Sequence, residues 1–283
     1  MLSLFSSRKK DTSSAVLSQI EAYELPSFSA TVMNVLAMLR RPGVEMQPIA
    51  EELQKDPGLS VKALRLVNSV GFGLSTRVSN VQHAVVLLGR SRLECLVLSV
   101  AVSTALPGKG IPGFDLEAYW RTAALRASMA GGLAKRLHPA TEIESFTAGL
   151  LQDIGVAFLA DRERERYVPL YARWREDDSA MLSAQESSIF GFDHAEIGGL
   201  LARNWQLPEF LVNAIEDHHT RESEDLDEAV WLVSLIKSHD SDQDIDTVVD
   251  AALRTHGLDE SLVRGIAQKA RSDADQFYKA LQG

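Results

Sequence analysis

The stretch that decides the fold is DPGLSVKALRLVNS, residues 56–69. Asp56 is a residue type that caps helix N-termini, and Pro57 suits the first helical position because its missing N–H has no partner there. The apolar residues that follow recur at helical spacing and form one stripe: Leu59, Ala63, Leu66 and Val67. The stretch is therefore predicted to be a helix that buries one face.

The same helical pattern continues on both sides of this stretch. Residues 27–43, SFSATVMNVLAMLRRPG, contain a second apolar stripe and end at a Pro-Gly stop. Residues 79–89, SNVQHAVVLLG, end at Gly89, where we expect the left-handed conformation of a helix C-terminus. Residues 92–106, RLECLVLSVAVSTAL, form the next helical segment.

Helical patterns continue to the end of the chain, and no window shows sustained strand alternation or a βαβ rhythm. We predict an all-α, two-lobed fold. Residues 107–113, PGKGIPG, are expected to be a hinge because prolines and glycines interrupt helices. The predicted parts are a flexible N-terminal segment (1–17), an N-terminal helical lobe (18–106), the hinge (107–113) and a second helical lobe with C-terminal helices (114–283).

Composition excludes several classes of protein. The chain has 283 residues with 45 % hydrophobic and 24 % charged residues, which is typical of globular domains. Cys95 is the single cysteine, so neither a disulfide framework nor a thiolate zinc cluster can form. Cys95 lies in an apolar helical pattern, which indicates a buried small residue. The N-terminus lacks the order of a secretory signal, and no apolar run reaches the ~18 residues of a membrane span, so we expect a cytoplasmic protein without membrane contact.

Charge is unevenly distributed along the chain. The net charge is -10, and residues 216–250 hold twelve acidic residues against Arg221 and Lys237, a local balance of -10. Residues 57–93 contain no acidic residue, and their five basic residues are the candidate interaction surface for an anionic partner: Lys62, Arg65, Arg77, Arg90 and Arg92.

Residues 24–219 resemble the HDOD family, the HD-related output domains of bacterial signalling proteins. The N-terminal signs of the resemblance are Leu25-Pro26, Asp56-Pro57, Leu64-Arg65-Leu66, Asn68-Ser69, Phe72, Ser79 with Val81, and Ala84 to Leu88-Gly89. The later signs are Trp120, LLQDIG, GFDHAEIGGLLARNWQLP and AIEDHH. The resemblance implies that the second lobe is similar to HD phosphohydrolases, which bind metals through histidines and aspartates.

Compared with those enzymes, the implied metal pocket is degenerate. The first ligand histidine would follow Trp120, where Thr122 stands, and the histidine of the His-Asp pair is Gln152, which leaves Asp153. His194, His218 and His219 match further histidines of the larger two-metal sites. No GYP signature follows, and a late ligand aspartate is absent unless Asp240 substitutes. We therefore predict no catalytic residue, no metal and no cofactor.

Asp153 is expected to serve the fold more than any chemistry. Its place in the apolar segment LLQDIGVAFLA predicts a desolvated, hydrogen-bonded carboxylate whose removal costs roughly 1 to 3 kcal/mol. His194, which follows Asp193, is expected to start a helix. Residues 240–246, DSDQDID, have the acidic spacing of a calcium loop but lack its glycine and its final glutamate, so we expect a solvated loop ending in Asp246 as a helix cap.

The resulting hypothesis is a non-catalytic signal-transduction output or adaptor module that binds another signalling protein. One alternative is a residual metal-dependent phosphohydrolase, because Asp153, His194 and His218 could still hold iron or zinc. The other is a nucleic-acid-binding regulator, because residues 48–69 resemble a helix-turn-helix, although Glu51, Glu52 and the acidic chain speak against it. The partner, the input signal, a small ligand in the degenerate pocket and the oligomeric state stay open.

Overall fold

The computed structural model of the protein describes residues 25–69, 77–106, 110–176, 181–220 and 227–282. Within these ranges the chain is helical and has no strand, which confirms the all-α prediction. The predicted flexible segment 1–17, the loop 70–76 and the first half of the hinge lie outside the described residues.

The described part of the N-terminal lobe has four helices: α1 (Ala30–Leu39), α2 (Met46–Gln54), α3 (Pro57–Val67) and α4 (Val81–Ala105). Asp56 caps α3 as predicted, because its carboxylate accepts a hydrogen bond from the Leu59 N–H at 3.0 Å. The four predicted stripe residues of α3 are all buried. Helices α2 and α3 both pack against α4.

The second lobe continues with α5 (Leu116–Leu137), a short 3₁₀ turn (Pro139–Thr141), α6 (Glu142–Leu151), α7 (Ile154–Arg162) and α8 (Arg164–Glu176). It ends with α9 (Leu182–Phe190), α10 (His194–Asn204), α11 (Glu209–Glu216), α12 (Glu228–Ser234), α13 (Asp242–His256) and α14 (Glu260–Gln282). Helix α5 is central, because α6, α12 and α14 all pack against it.

Two local predictions need correction. Gly89 has a positive φ of 67° as expected, but its ψ of -175° lies outside the left-handed helical region. Gly89 nevertheless interrupts the helical backbone as predicted, so that two helical halves of α4 meet there across a kink. Residues 242–246 belong to α13 and are not a solvated loop: Ser241, not Asp246, is the N-cap, and its hydroxyl accepts from the Asp244 N–H at 3.1 Å. Acidic residues in a first helical turn are favoured by the helix dipole.

The two lobes share one hydrophobic core. The buried apolar residues form a single packed cluster, which includes Phe28 in the N-terminal lobe and Leu281 in the C-terminal helix. Helix α14 packs against both α3 and α5, and α4 packs against α6. The predicted hinge therefore joins two parts that bury apolar surface against each other, and its Ile111 is itself buried.

Polar contacts reinforce the junction of the lobes. Trp205 lies at the C-terminus of α10, where its indole N–H donates to the Pro26 carbonyl at 2.6 Å and its ring stacks on Phe28 at 4.7 Å between centroids. Arg40, at the end of α1, donates to the Gln206 carbonyl at 2.5 Å. The start of the described chain is thus anchored to the second lobe.

One segment, Pro139–Arg162, is long and apolar enough to cross a membrane, but 83 % of its most apolar window is buried inside the fold. It comprises the 3₁₀ turn, α6 and α7, which pack against α5 and α10. The segment is a core element, and its apolar character follows from that position.

Candidate functional site

Four of the six residues predicted for the degenerate pocket lie together in the second lobe. Asp153 stands at the N-cap of α7, His194 is the first residue of α10, and His218 and His219 follow α11. The local folding of His194 was foreseen correctly: Asp193 caps α10 in a capping box with Glu196, which fixes the start of the helix.

The other two predicted residues make different contacts. Thr122 is buried in α5, donates to the Ala118 carbonyl and accepts from the His239 N–H at 3.2 Å. Gln152 is buried next to Asp153, and neither polar atom of its side chain has a hydrogen-bond partner. The resemblance would place a histidine at this position, and the carboxamide of Gln152 stands there without a hydrogen bond.

Arg126 is the site residue that the sequence analysis missed. It lies one turn after Thr122 on α5, is buried, and pairs with Asp153 through Nη1 and Oδ2. Its Nε also donates to the Ile236 carbonyl at 2.9 Å. A fixed guanidinium cation therefore faces one oxygen of the carboxylate that would otherwise bind metal. The spacing of four residues from Thr122 was the available signal, because such residues share a helix face.

A second missed residue, Glu186 in α9, holds His194 in place. Its Oε2 lies 2.6 Å from His194 Nδ1 and accepts from the His194 backbone N–H at 2.9 Å, while Tyr167 donates its hydroxyl to Oε1. Glu186 is fully buried, so it is paired on both oxygens as a buried carboxylate requires. No local motif marks Glu186, because its role arises only where α8, α9 and α10 meet.

The three imidazoles converge through their Nε2 atoms. His194 Nε2 lies 3.3 Å from His218 Nε2 and 2.9 Å from His219 Nε2. Asp153 Oδ1 lies 3.3 Å from His218 Nε2 and 3.8 Å from His194 Nε2, and it makes no hydrogen bond of good geometry. We call His194, His218, His219 and Asp153 the four-residue cluster.

A close helix approach makes this convergence feasible. A Cβ on Gly155, in the first turn of α7, would overlap the carbonyl oxygen of His194. Only glycine lets the α7 backbone come this near to the start of α10. The motif LLQDIG thus supplies both Asp153 and the space beside it.

Electrostatics distinguish the members of the cluster. Burial opposes ionisation of Asp153, but the Arg126 guanidinium and the neighbouring imidazoles outweigh it and hold the pKa of this carboxyl well below its usual range. Burial also opposes protonation of His194, yet the Glu186 carboxylate overcomes it and raises the pKa of His194 to about 9. Burial and the two neighbouring imidazoles lower the pKa of His219 well below its usual range.

Most of the cluster is buried. His194 and His218 are each 1 % exposed and Glu186 is 0 % exposed, while His219 is half-buried. Three cavities of about 440, 540 and 210 Å³ occur elsewhere among the described residues, and none of these three is lined by a predicted pocket residue. The cluster can hold a proton or an ion.

The five basic residues of the candidate interaction surface do not all lie close together. Lys62 donates to Thr104 Oγ1 at 3.2 Å, near the end of α4, whereas Arg92 lies twelve residues earlier on the same helix. At 1.5 Å per residue this is roughly 18 Å. Arg77 and Arg90 are exposed and Arg92 is half-buried, and the exposed Val86 and Leu87 lie between them along the chain. Arg65 is exposed on α3.

Comparisons with known proteins agree with this architecture. A protein from Shewanella amazonensis SB2B described as a candidate phosphohydrolase has a similar structure, with a TM-score of 0.75, 27 % identity and coverage of 94 % of this chain and 98 % of that chain. A protein from Marinobacter aquaeolei VT8 described as a candidate signal transduction protein has a TM-score of 0.72 at 21 % identity, with 94 % of this chain and 61 % of that chain covered.

An HDOD domain protein of unknown function from Geobacter sulfurreducens has a TM-score of 0.71 at 21 % identity, with 95 % and 98 % covered. An uncharacterized protein of Treponema pallidum is 26 % identical over 197 residues, which is 69 % of this chain and 38 % of that relative. The chain thus spans well under half the length of this curated relative. The family model for the HDOD domain matches residues 25–221, and the chain therefore belongs to the HDOD family.

Proposed function

We propose that this HDOD protein is a non-catalytic signal-transduction output module that acts by binding another protein, with a cytoplasmic location. The observation that carries the proposal is the donor set of the four-residue cluster: it holds three imidazoles and one carboxylate, and the buried Thr122 and Gln152 add no imidazole to it. A hydrolase needs an open ligand position and substrate access at its metal.

The pairing of Arg126 with Asp153 supports the same reading. In a two-metal hydrolase the aspartate of the His-Asp pair would face cations, but here one of its oxygens already faces a guanidinium. A second cation near that oxygen would be repelled, and Thr122 and Gln152 add no imidazole to compensate. The Arg126 side chain thus disfavours a metal ion at Asp153 Oδ2.

The surface that we assign to partner binding is the α4 face, defined by Arg77, Val86, Leu87, Arg90 and Arg92. Val86 is 67 % exposed and Leu87 is 41 % exposed, so two consecutive aliphatic side chains are accessible to solvent. Interfaces commonly combine an apolar centre with arginines, and the arginines steer an acidic partner. Lys62 is excluded from this face by its contact with Thr104.

The test compares two charge variants in their binding to a partner captured from native cells and then purified. Arg77→Glu, Arg90→Glu and Arg92→Glu together should slow association and reduce its salt dependence while the helical circular dichroism is retained. The matched control neutralises exposed acidic residues of α13: Asp242→Asn, Asp246→Asn and Asp250→Asn. Asp244 is omitted because it is buried and accepts from the Lys237 and Ser238 N–H groups.

Two outcomes would overturn this proposal. If the acidic control loses the partner and the arginine variant keeps it, the α4 face is the wrong surface. If the purified protein hydrolyses a cyclic dinucleotide or a phosphomonoester, and Asp153→Ala abolishes that turnover, the protein is an enzyme. Strongly salt-dependent binding to DNA or RNA without a protein partner would favour the nucleic-acid regulator instead.

A further inference from the structure

The Nδ1 atoms of two imidazoles in the four-residue cluster are committed as donors. His218 Nδ1 lies 2.6 Å from the Ile215 carbonyl oxygen, which can only accept, and His194 Nδ1 lies 2.6 Å from the Glu186 carboxylate. In a neutral ring the hydrogen is then on Nδ1, and Nε2 carries a lone pair. Both Nε2 lone pairs, together with His219 Nε2, are directed at one another.

This arrangement is incomplete without a positive charge at its centre. One ring nitrogen of each histidine lies within 4.8 Å of the others. Asp153 Oδ1, which lacks a hydrogen bond, lies 3.3 Å from His218 Nε2 and 3.8 Å from His194 Nε2. The fixed charges around these atoms are two carboxylates, Asp153 and Glu186, against one guanidinium, Arg126. The surplus negative charge calls for a cation, either a proton on an imidazole or a metal ion.

The distances fit a metal ion with four ligands. Zinc–nitrogen bonds of 2.0–2.1 Å place the ligand atoms of a tetrahedron roughly 3.3 to 3.4 Å apart. Four of the six separations among these atoms are 3.3, 2.9, 3.3 and 3.8 Å. Glu186 and the Ile215 carbonyl hold the far nitrogens of two rings, which is the usual support for ligand imidazoles.

We propose that His194, His218 and His219, through Nε2, and Asp153, through Oδ1, form a mononuclear structural site for a zinc-class divalent ion. The set differs from a hydrolytic two-metal centre, because Thr122 and Gln152 contribute no ligand and Arg126 faces Asp153 Oδ2. Four protein ligands in a buried place leave no open position for substrate. The ion ties the start of α7, the start of α10 and the residues after α11 together.

This metal site does not depend on the adaptor proposal, and it leaves the described fold unchanged. It does replace the expectation of no metal that the losses at Thr122 and Gln152 suggested. His219 is the member that sequence reasoning undervalued, because only the tertiary structure shows that both neighbouring histidines turn Nε2 toward His194.

The test uses the full chain after chelation and removal of bound metal. Titration with Zn²⁺ followed by calorimetry should give one ion per chain and a raised melting temperature. Titration with Co²⁺ should give the intense visible absorption of tetrahedral coordination, a signature that a purely structural effect on the chain would not produce.

Three variants test the assignment of the ligands. His219→Ala removes the half-buried member and should abolish stoichiometric uptake, while His83→Ala, on an exposed part of α4, should bind like the wild type. Glu186→Gln should weaken zinc binding about 10- to 100-fold, because it alters the support of His194. Circular dichroism establishes that each variant is folded.

The proposal fails if folded wild-type protein takes up no stoichiometric Zn²⁺ or Co²⁺, or if cobalt gives only the weak spectrum of octahedral coordination. It also fails if His219→Ala and His83→Ala bind equally. Should His219→Ala not fold, the cobalt spectrum of the wild type decides alone. Zinc uptake accompanied by phosphoester hydrolysis would support the site and overturn the adaptor proposal, whereas partner binding without metal uptake would do the reverse.

Discussion

The interiors of the two lobes are built on different principles. In the described part of the N-terminal lobe the buried polar residues are Ser69 and Ser99, and the rest of the interior is apolar. The second lobe buries several ionisable side chains, among them Arg126, Asp153, Glu186, His194 and His218. An apolar interior tolerates changes that preserve volume, whereas buried charges are stable only as a complete set. The lobes should therefore respond differently to similar substitutions.

The largest contrast is expected from Asp153→Ala. This variant leaves the Arg126 guanidinium buried without its anion, so the free energy of unfolding should fall by about 3–5 kcal/mol. The value exceeds the 1 to 3 kcal/mol expected from a neutral hydrogen bond, because the partner is an ion. Chemical denaturation in chelator-containing buffer measures it without a contribution from metal.

The matched control for Asp153→Ala is Leu66→Met in α3. Leu66 is fully buried in the apolar lobe, and this exchange nearly conserves volume, so it should cost under about 1.5 kcal/mol. Equal losses for the two variants would show that the charged cluster is no more demanding than an ordinary apolar interior.

A second contrast concerns two glycines that are required for different reasons. Gly155→Ala should cost about 3 kcal/mol or more, because the added Cβ overlaps the His194 carbonyl and forces α7 away from α10. Gly89→Ala meets no neighbouring atom, and its cost of about 1–3 kcal/mol should come only from the backbone conformation at φ 67°. Thermal denaturation of both variants measures the difference. A larger loss for Gly89→Ala would contradict the close helix approach.

The pH dependence of stability should originate in the second lobe. In the metal-free protein the pKa of His194 is about 9, against about 6.5 for an unfolded histidine, so the folded state binds the extra proton. Protonated His194 therefore stabilises the folded state fully below pH 6.5, and this stabilisation is lost as the pH rises through 9. Asp153 contributes no change there, because its lowered pKa confines its effect to acid pH.

Denaturation at pH 7, 8 and 9.5 in chelator should therefore show a falling free energy of unfolding, and His194→Gln should make the curve flatter. With zinc present, the stabilisation by the ion should instead grow with pH, because protons compete with metal for imidazole. A wild-type curve that is flat from pH 7 to 9.5 without metal would contradict the protonation of His194.

The smallest effect is expected at Cys95, a buried ionisable group in the described part of the N-terminal lobe. Burial raises the pKa of its thiol to about 11, and the side chain is 3 % exposed. Because the thiolate is the reactive form, native protein should label at a negligible rate with an aromatic disulfide reagent. Protein unfolded in guanidinium should label rapidly, and fast labelling of the native state would reveal an opening of α4.

The sequence predicted most residues of the four-residue cluster, but it did not predict the charged residues that pair with them. The motifs LLQDIG, DHAEIGG and EDHH named Asp153 and the three histidines. The sequence analysis did not name Arg126 or Glu186, because an arginine on α5 and a glutamate on α9 look like ordinary solvent-facing residues until other helices cover them. Thr122 and Gln152 stand where the resemblance would place ligand histidines, and neither makes a described hydrogen bond to His194, His218 or His219.

The sequence by itself determined the helices, caps such as Asp56 and Asp193, and the apolar faces of the N-terminal lobe. These features depend on residues within one or two turns of one another, as with Asp56 and the stripe of α3. Only the tertiary structure decided that the lobes share a core, that Arg126 neutralises Asp153 and that three Nε2 atoms meet. Such contacts join residues far apart in the chain, and their energies depend on burial and exact distance, which no local pattern encodes.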